Sequence, residues 1–135
     1  MTRFLNTVEL ILINEEIIGK KHSQLRDVDL LEAAIERPKS SAFGQDAYPS
    51  IVEKAGAFFH SLSRNHAFVD GNKRTSTVAT ILFLQMNGYT VTWQDEDALA
   101  FILEVATGAH EISTITAWLA NNTAVSTTQE SKISD

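Results

Sequence analysis

The sequence predicts a single all-α domain, a compact bundle of about six helices. Three observations carry that expectation. Only two prolines and six glycines interrupt 135 residues, so long helices meet few breakers. Ile51, Ala55, Phe58, Phe59 and Leu62 recur at i, i+4, i+7, i+8 and i+11, the spacing of one helical face. Between Asn72 and Asn87, the residues Val78, Ile81, Leu82, Phe83, Leu84 and Met86 are apolar nearly all round, which suits the centre of a bundle.

The elements follow in order. A first helix is expected from about Asn6 to Lys20, with Val8, Ile11, Leu12 and Ile18 on one broad face. Asp27 and Asp29 open a second through Leu30, Leu31, Ala34 and Ile35, which Pro38 stops. From Pro38 to Pro49 there is no period, and the segment reads as a loop or short flap between helices two and three. Its two aromatics, Phe43 and Tyr48, either pack down on the core or face a ligand. The third helix begins at Ser50 and ends near Asn65, and the fourth runs from Asn72 until Asn87-Gly88 closes it. Tyr89 to Trp93 alternates like a short extended piece. Asp95 caps a fifth helix carrying Leu99, Ile102, Leu103 and Ala106, and Ser113 caps a short last one with Ile115, Trp118 and Leu119. Residues 1–122 then form the domain, and 123–135, rich in Ser and Thr, read as a disordered tail.

Composition narrows the function. Eleven Lys and Arg stand against 17 Asp and Glu, a net charge of -6, which argues against a bulk grip on nucleic acid or an anionic membrane. There is no cysteine, so thiolate nucleophiles, disulfides and Cys-type zinc sites are excluded, and a reducing cytoplasm fits. Met1 to Ile18 carries Arg3, Glu9, Glu15 and Glu16 and reads as neither a signal peptide nor a membrane span. His60 and His66 lack the spacing of a metal pair, while His22 and His110 have no local partners and are expected at the surface.

One segment departs from core-and-surface logic: His66-Ala67-Phe68-Val69-Asp70-Gly71-Asn72-Lys73-Arg74. It gathers an imidazole, a carboxylate, a Gly-Asn pair and two cations at the entry to the most buried helix. The first turn of a helix leaves backbone N–H groups without intrahelical partners, and its dipole makes that end partly positive. Gly71 lets the backbone approach an anion closely, and Asn72 can cap the helix or donate to an oxygen. Lys73 and Arg74 stand where the dipole alone disfavours cations, so an anionic ligand such as phosphate would offset the mismatch. Singly each residue has a plain structural role: His66 at the surface, Asp70 as an N-cap, Phe68 and Val69 as core plugs. Jointly they point to a site.

Those nine residues, seven of fixed type, resemble the signature of the Fic-fold superfamily, HxFx[DE]GN[GK]R, in the Lys73 variant of its Doc (death-on-curing) toxin family. Leu25-Arg26-Asp27, Leu30-Leu31-Glu32-Ala33-Ala34, Arg37-Pro38, Asp46, Tyr48 and Pro49 resemble the family's N-terminal part. Ala106-Thr107-Gly108 and Trp118-Leu119 resemble its C-terminal part.

The resemblance implies the Fic/Doc fold and a set of roles. His66 would be the general base that takes the proton of a target hydroxyl, a task suited to imidazole, whose ordinary titration range brackets neutral pH. Phe68 would anchor the loop, and Asp70 would be the carboxylate associated with Mg²⁺. Gly71 and Asn72 would form the anion hole, and Lys73 and Arg74 would hold the phosphates of ATP. Adenylyl-transferring members usually carry glycine at position 73. A lysine there accompanies a reversed nucleotide that presents its γ-phosphate. The resemblance therefore implies a kinase that phosphorylates a threonine of elongation factor Tu and arrests translation. Gly71 departs from Doc proteins that carry alanine there, and keeps adenylyl transfer as the alternative. A catalytically idle binding module is the second alternative, against which His66, Asp70, Asn72 and Arg74 stand intact.

Many members restrain themselves with an internal [ST]xxxE[GN] helix. Here Thr92 with Glu96 is followed by Asp97, and Ser126 with Glu130 by Ser131, so neither completes the pattern. The family's other solution is a small Phd-like antitoxin from an adjacent gene, with a segment that folds on binding. It would need an apolar groove, expected between the N-terminal helices and the flap, where Phe43 and Tyr48 would meet the antitoxin or the target.

Overall fold

A computed structural model describes residues 1–20 and 25–126. Helix α1, Thr7–Ile18, starts at a capping box in which Asn6 and Glu9 satisfy each other's backbone N–H groups, and it ends on Gly19 in the left-handed conformation. Its buried positions are Leu10 and Asn14, whereas Val8 and Leu12, expected on the core face, are exposed. Ile11 packs against the core as expected, but the deepest i, i+4 pair, Leu10 and Asn14, includes a polar residue that an apolar pattern passes over.

Asp27 caps α2, Val28–Glu36, by accepting from the N–H of Leu30. Pro38 stops this helix as expected, two residues beyond its last one. It sits buried in a 3₁₀ turn, Arg37–Lys39, where its missing N–H is not needed. The flap is a hairpin: β1, Ser41–Ala42, pairs with β2, Gln45–Asp46, across Phe43 and Gly44, both at positive φ. So short a ribbon is marginal alone. Its base is held by the buried Lys54, whose ammonium donates to the Asp46 carboxylate at 3.2 Å and to the Tyr48 carbonyl.

Helix α3, Ile51–Asn65, opens on a second capping box, Ser50 with Glu53. It packs against α2, α4, α5 and α6, while α4, Asn72–Met86, packs against α1, α3 and α5. Phe58, Phe59, Phe83, Leu84, Leu10, Leu31, Ile115 and Leu119 fill the space between them, with the Phe58 and Phe83 rings 5.9 Å apart.

Helix α5, Asp95–Ala106, and helix α6, Ile112–Asn121, have their N-cap positions one and two residues earlier than expected, at Gln94 and Glu111, and neither side chain makes a capping bond. Asp95, Glu96 and Asp97 lie in the first turn of α5, where acids complement the dipole. The buried stripe of α5 is Ala98, Phe101 and Val105, leaving Leu99 and Leu103 exposed. Phe101 wins the core because its ring stacks on Trp118 at 4.3 Å, and Trp118 in turn meets Trp93.

The expected tail begins too early. Thr123–Val125 forms β4, antiparallel to β3, Tyr89–Val91, in the register Tyr89↔Val125 and Val91↔Thr123. Thr123 and Val125 are β-branched and meet an available strand edge. Residues 127–135, the rest of that tail, lie outside the described residues, as does His22. The architecture is a compact bundle of six helices with two small ribbons, the arrangement that the resemblance to the Fic/Doc fold implies.

Candidate active site

The signature loop joins the C-terminus of α3 to the N-terminus of α4, two helices that pack side by side. His66 ends α3 in the left-handed conformation, φ 49° and ψ 49°. Glycine or asparagine normally takes that position. A histidine there holds about 1–2 kcal/mol of backbone strain.

From His66 the chain runs extended. Leu25 bridges to Phe68, and the N–H groups of Arg26 and Asp27 both donate to the Ala67 carbonyl, at 2.7 and 3.1 Å. Ala67 and Phe68 both turn into the core, Phe68 at 2% exposed, and the chain then emerges, with Val69 63% exposed. Val69 is therefore no core plug.

Asn72 does not cap α4. Its amide folds back on the loop, accepting from the Phe68 N–H at 3.0 Å and donating to the Phe68 carbonyl at 2.7 Å. The N-cap is Gly71, at φ 78° and without a side-chain cap bond. A Cβ there would lie 3.0 Å from Ile18 Cγ2 and 3.2 Å from Asn14 Nδ2. The exposed carboxylate of Asp70 accepts from the Gly71 N–H at 2.8 Å.

Behind the loop, the fully buried amide of Asn14 donates to the Asp70 carbonyl at 2.8 Å and to Thr75 Oγ1 at 3.1 Å. The guanidinium of Arg26 donates to the His66 carbonyl. Ser76 Oγ donates to the Lys73 carbonyl at 2.8 Å and accepts from Ser63 Oγ at 3.1 Å. The acceptors of the loop are thus spent inward. The N–H groups of Asn72, Lys73 and Arg74 belong to the first turn of α4 and lack intrahelical partners.

Lys73 and Arg74 are exposed on that same turn, and among the described residues neither is ion-paired. The arrangement offers a positive helix end, two cations, a carboxylate and an imidazole on one short loop. Chemically it can hold a polyphosphate and accept a proton beside it.

The chain from residue 4 to residue 84 matches the model of the Fic/DOC family. The protein named Toxin Doc from Mycolicibacterium smegmatis (strain ATCC 700084 / mc(2)155) is 38% identical over 130 residues, covering 95% of this chain and 99% of that one. The chain belongs to the Fic/DOC family.

Other residues singled out from the sequence fall elsewhere in this Fic/DOC domain. Phe43 stands fully exposed at the hairpin tip. Tyr48 is half-buried, its hydroxyl accepting from Arg37 Nε at 3.0 Å beneath the guanidinium. A pocket of about 390 Å³ lies beside the flap, where Ala47 and Tyr48 line it with Ile112 and Thr116, and a more apolar groove lies between α1, α4 and α5. The groove's volume is about 270 Å³, and Ile17, Val78, Leu99 and Ile102 line it beside Lys73 and Arg74. His110 is no solitary surface residue: it pairs with Glu104 at 2.6 Å and stacks on Phe101.

Among the described residues no cluster of three His, Asp or Glu could cage a metal. Asp70 could still serve Mg²⁺, which commonly takes one or two carboxylates and completes its shell with phosphate oxygens and water. Sequence reasoning missed Asn14 and Arg26, which act on the loop from 56 and 40 residues away. Asn14 left a trace only as a polar residue one helical turn after Leu10 in an apolar run, and Arg26 only within Leu25-Arg26-Asp27, which resembles the family without showing what the arginine does.

Proposed function

We propose that this protein is the toxin of a toxin–antitoxin pair. It transfers the γ-phosphoryl group of Mg·ATP to a threonine or serine hydroxyl of elongation factor Tu in the cytoplasm, and so arrests translation. The observation that carries the reading is the pinned loop on which His66 and Asp70 stand beside two unpaired cations, Lys73 and Arg74, in a chain similar to a protein named Toxin Doc.

In this reading the α4 N-terminus, Lys73 and Arg74 bind and orient the triphosphate, and Asp70 holds Mg²⁺. When bound, that ion would neutralise phosphate charge. His66 accepts the proton of the target hydroxyl as its oxygen bonds to the γ-phosphorus. The bond from that phosphorus to the bridging oxygen breaks, and ADP leaves. Such transfer depends mainly on positioning and charge stabilisation. Gly71 supports the second reading, transfer of AMP, because it matches the adenylyl-transferring members of the family.

A free enzyme of this kind needs restraint, and the reading includes a small Phd-like antitoxin. The apolar groove bordered by Lys73 and Arg74 suits an amphipathic helix with acidic residues. Intact-mass analysis of elongation factor Tu after incubation with the protein and Mg·ATP tests the chemistry. One added phosphate is expected, and one added AMP would establish the second reading instead. Induction alone should stop growth, and co-expression of the adjacent small gene should restore it. Harmless expression of the active protein without that gene would contradict the antitoxin.

A further inference from the structure

The loop is gripped at its first residue from outside, and we infer that Arg26 is a positioning residue for His66. The inference rests on the reading of His66 as the base. Three contacts make the grip. Leu25 bridges to Phe68, the N–H groups of Arg26 and Asp27 meet on the Ala67 carbonyl, and the Arg26 guanidinium reaches the His66 carbonyl. The side chain therefore springs from a backbone already fixed against the loop it holds.

A cation is the fitting donor at that carbonyl. It closes α3, a helix of 15 residues, where unsatisfied acceptors gather at the negative end of the dipole. A charged donor binds such an acceptor more strongly than a neutral one. Arg64, the cation that α3 itself carries in its last turn, is turned away: it donates to the Gly108 carbonyl at 2.9 Å and reaches that of His110 at 3.4 Å.

The consequence falls on the imidazole. A non-glycine residue keeps a left-handed backbone only while its surroundings enforce it. With the His66 carbonyl held, the peptide plane after His66 is fixed, and the ring leaves the backbone in one direction. Without Arg26 the residue can relax toward commoner dihedrals and carry the ring away from α4. Arg26 is itself exposed, so its removal uncovers little of the core. The loss should appear in the rate rather than in folding.

Arg26→Ala, Arg26→Lys and His66→Ala test this, with label transfer from Mg·ATP to elongation factor Tu as the readout. Arg26→Ala should lower kcat by about tenfold or more while KM for ATP stays within about twofold, the pattern of a group that acts on the reacting geometry and not on nucleotide binding. Arg26→Lys, which keeps one charged donor, should recover a large part of the rate. The imidazole proton resonances of His66 in the ligand-free protein should shift in Arg26→Ala and return in Arg26→Lys, while those of His60 and His110 stay in place. Wild-type kcat in Arg26→Ala beside an inactive His66→Ala would overturn the inference alone. So would an unmoved His66 resonance, or a raised KM for ATP at unchanged kcat, which would make Arg26 a phosphate ligand. His66→Ala at the wild-type rate would overturn the base assignment and this inference together.

Discussion

Asn14, fully buried in α1, donates its side-chain amide to the backbone carbonyl of Asp70 at 2.8 Å. The first helix thereby reaches into the signature loop 56 residues further along the chain. A buried polar group among apolar neighbours is tolerated only when bonded, and here the bonds go to the site.

Asn14→Leu should therefore cost more than its similar volume suggests. It leaves the Asp70 carbonyl without its donor and removes the bond to Thr75, for a loss of about 1–3 kcal/mol. Urea unfolding measures it. A variant as stable as wild type would show that the bond contributes nothing net.

Gly71→Ala should destabilise by about 1–2 kcal/mol, because an L-residue at φ 78° is strained whatever the space around it. Crowding adds to it: Ile18 Cγ2 at 3.0 Å is the end of a side chain that can give by a few tenths of an ångström, but Asn14 Nδ2 at 3.2 Å is held by its bonds to Asp70 and Thr75. The variant should fold. An unchanged urea midpoint would contradict the strain.

His60 supplies a pH dependence unrelated to the site. Both ring nitrogens are buried without a hydrogen-bond partner among the described residues. Burial lowers its pKa from 6.5, Arg64 and Arg37 lower it further, and Glu111 opposes them. The unfolded chain then binds a proton that the folded chain refuses. Stability is full above the unfolded value, 6.5, and falls as pH drops from there through the lower folded value. Urea midpoints at about pH 7.5 and 5.5 should differ less in His60→Leu than in wild type. An equal difference would exclude His60 as the cause.

Lys73→Gly should weaken γ-phosphoryl transfer to elongation factor Tu by about tenfold or more, the scale of removing one charge-stabilising group from a phosphoryl-transfer site. It should also admit some transfer of AMP. Undiminished label from γ-labelled ATP would show that Lys73 does not orient the nucleotide.

Much of the fold was legible because local signals agreed with it. The expected starts at Asn6, Asp27 and Ser50 and the stripe from Ile51 to Leu62 each place a helix within a residue or two. What misled was competition between faces. Helix α5 carries two apolar stripes, and only the stacking of Phe101 on Trp118 selects the inner one. Strand β4 was invisible because its partner, Tyr89–Val91, lies far off in sequence. The site was legible as a motif, since its residues are contiguous. Its supports were not: Asn14 and Arg26 act through backbone carbonyls, which carry no signature in the residues they serve.

The most direct measurement of the central claim uses elongation factor Tu and Mg·ATP labelled separately at the α and γ positions, with wild-type protein and His66→Ala. Label should reach elongation factor Tu from γ-labelled ATP alone, reduced on the order of 10²-fold or more in His66→Ala, the usual contribution of a positioned base. Label from the α position, or a His66→Ala variant as fast as wild type, would contradict the claim.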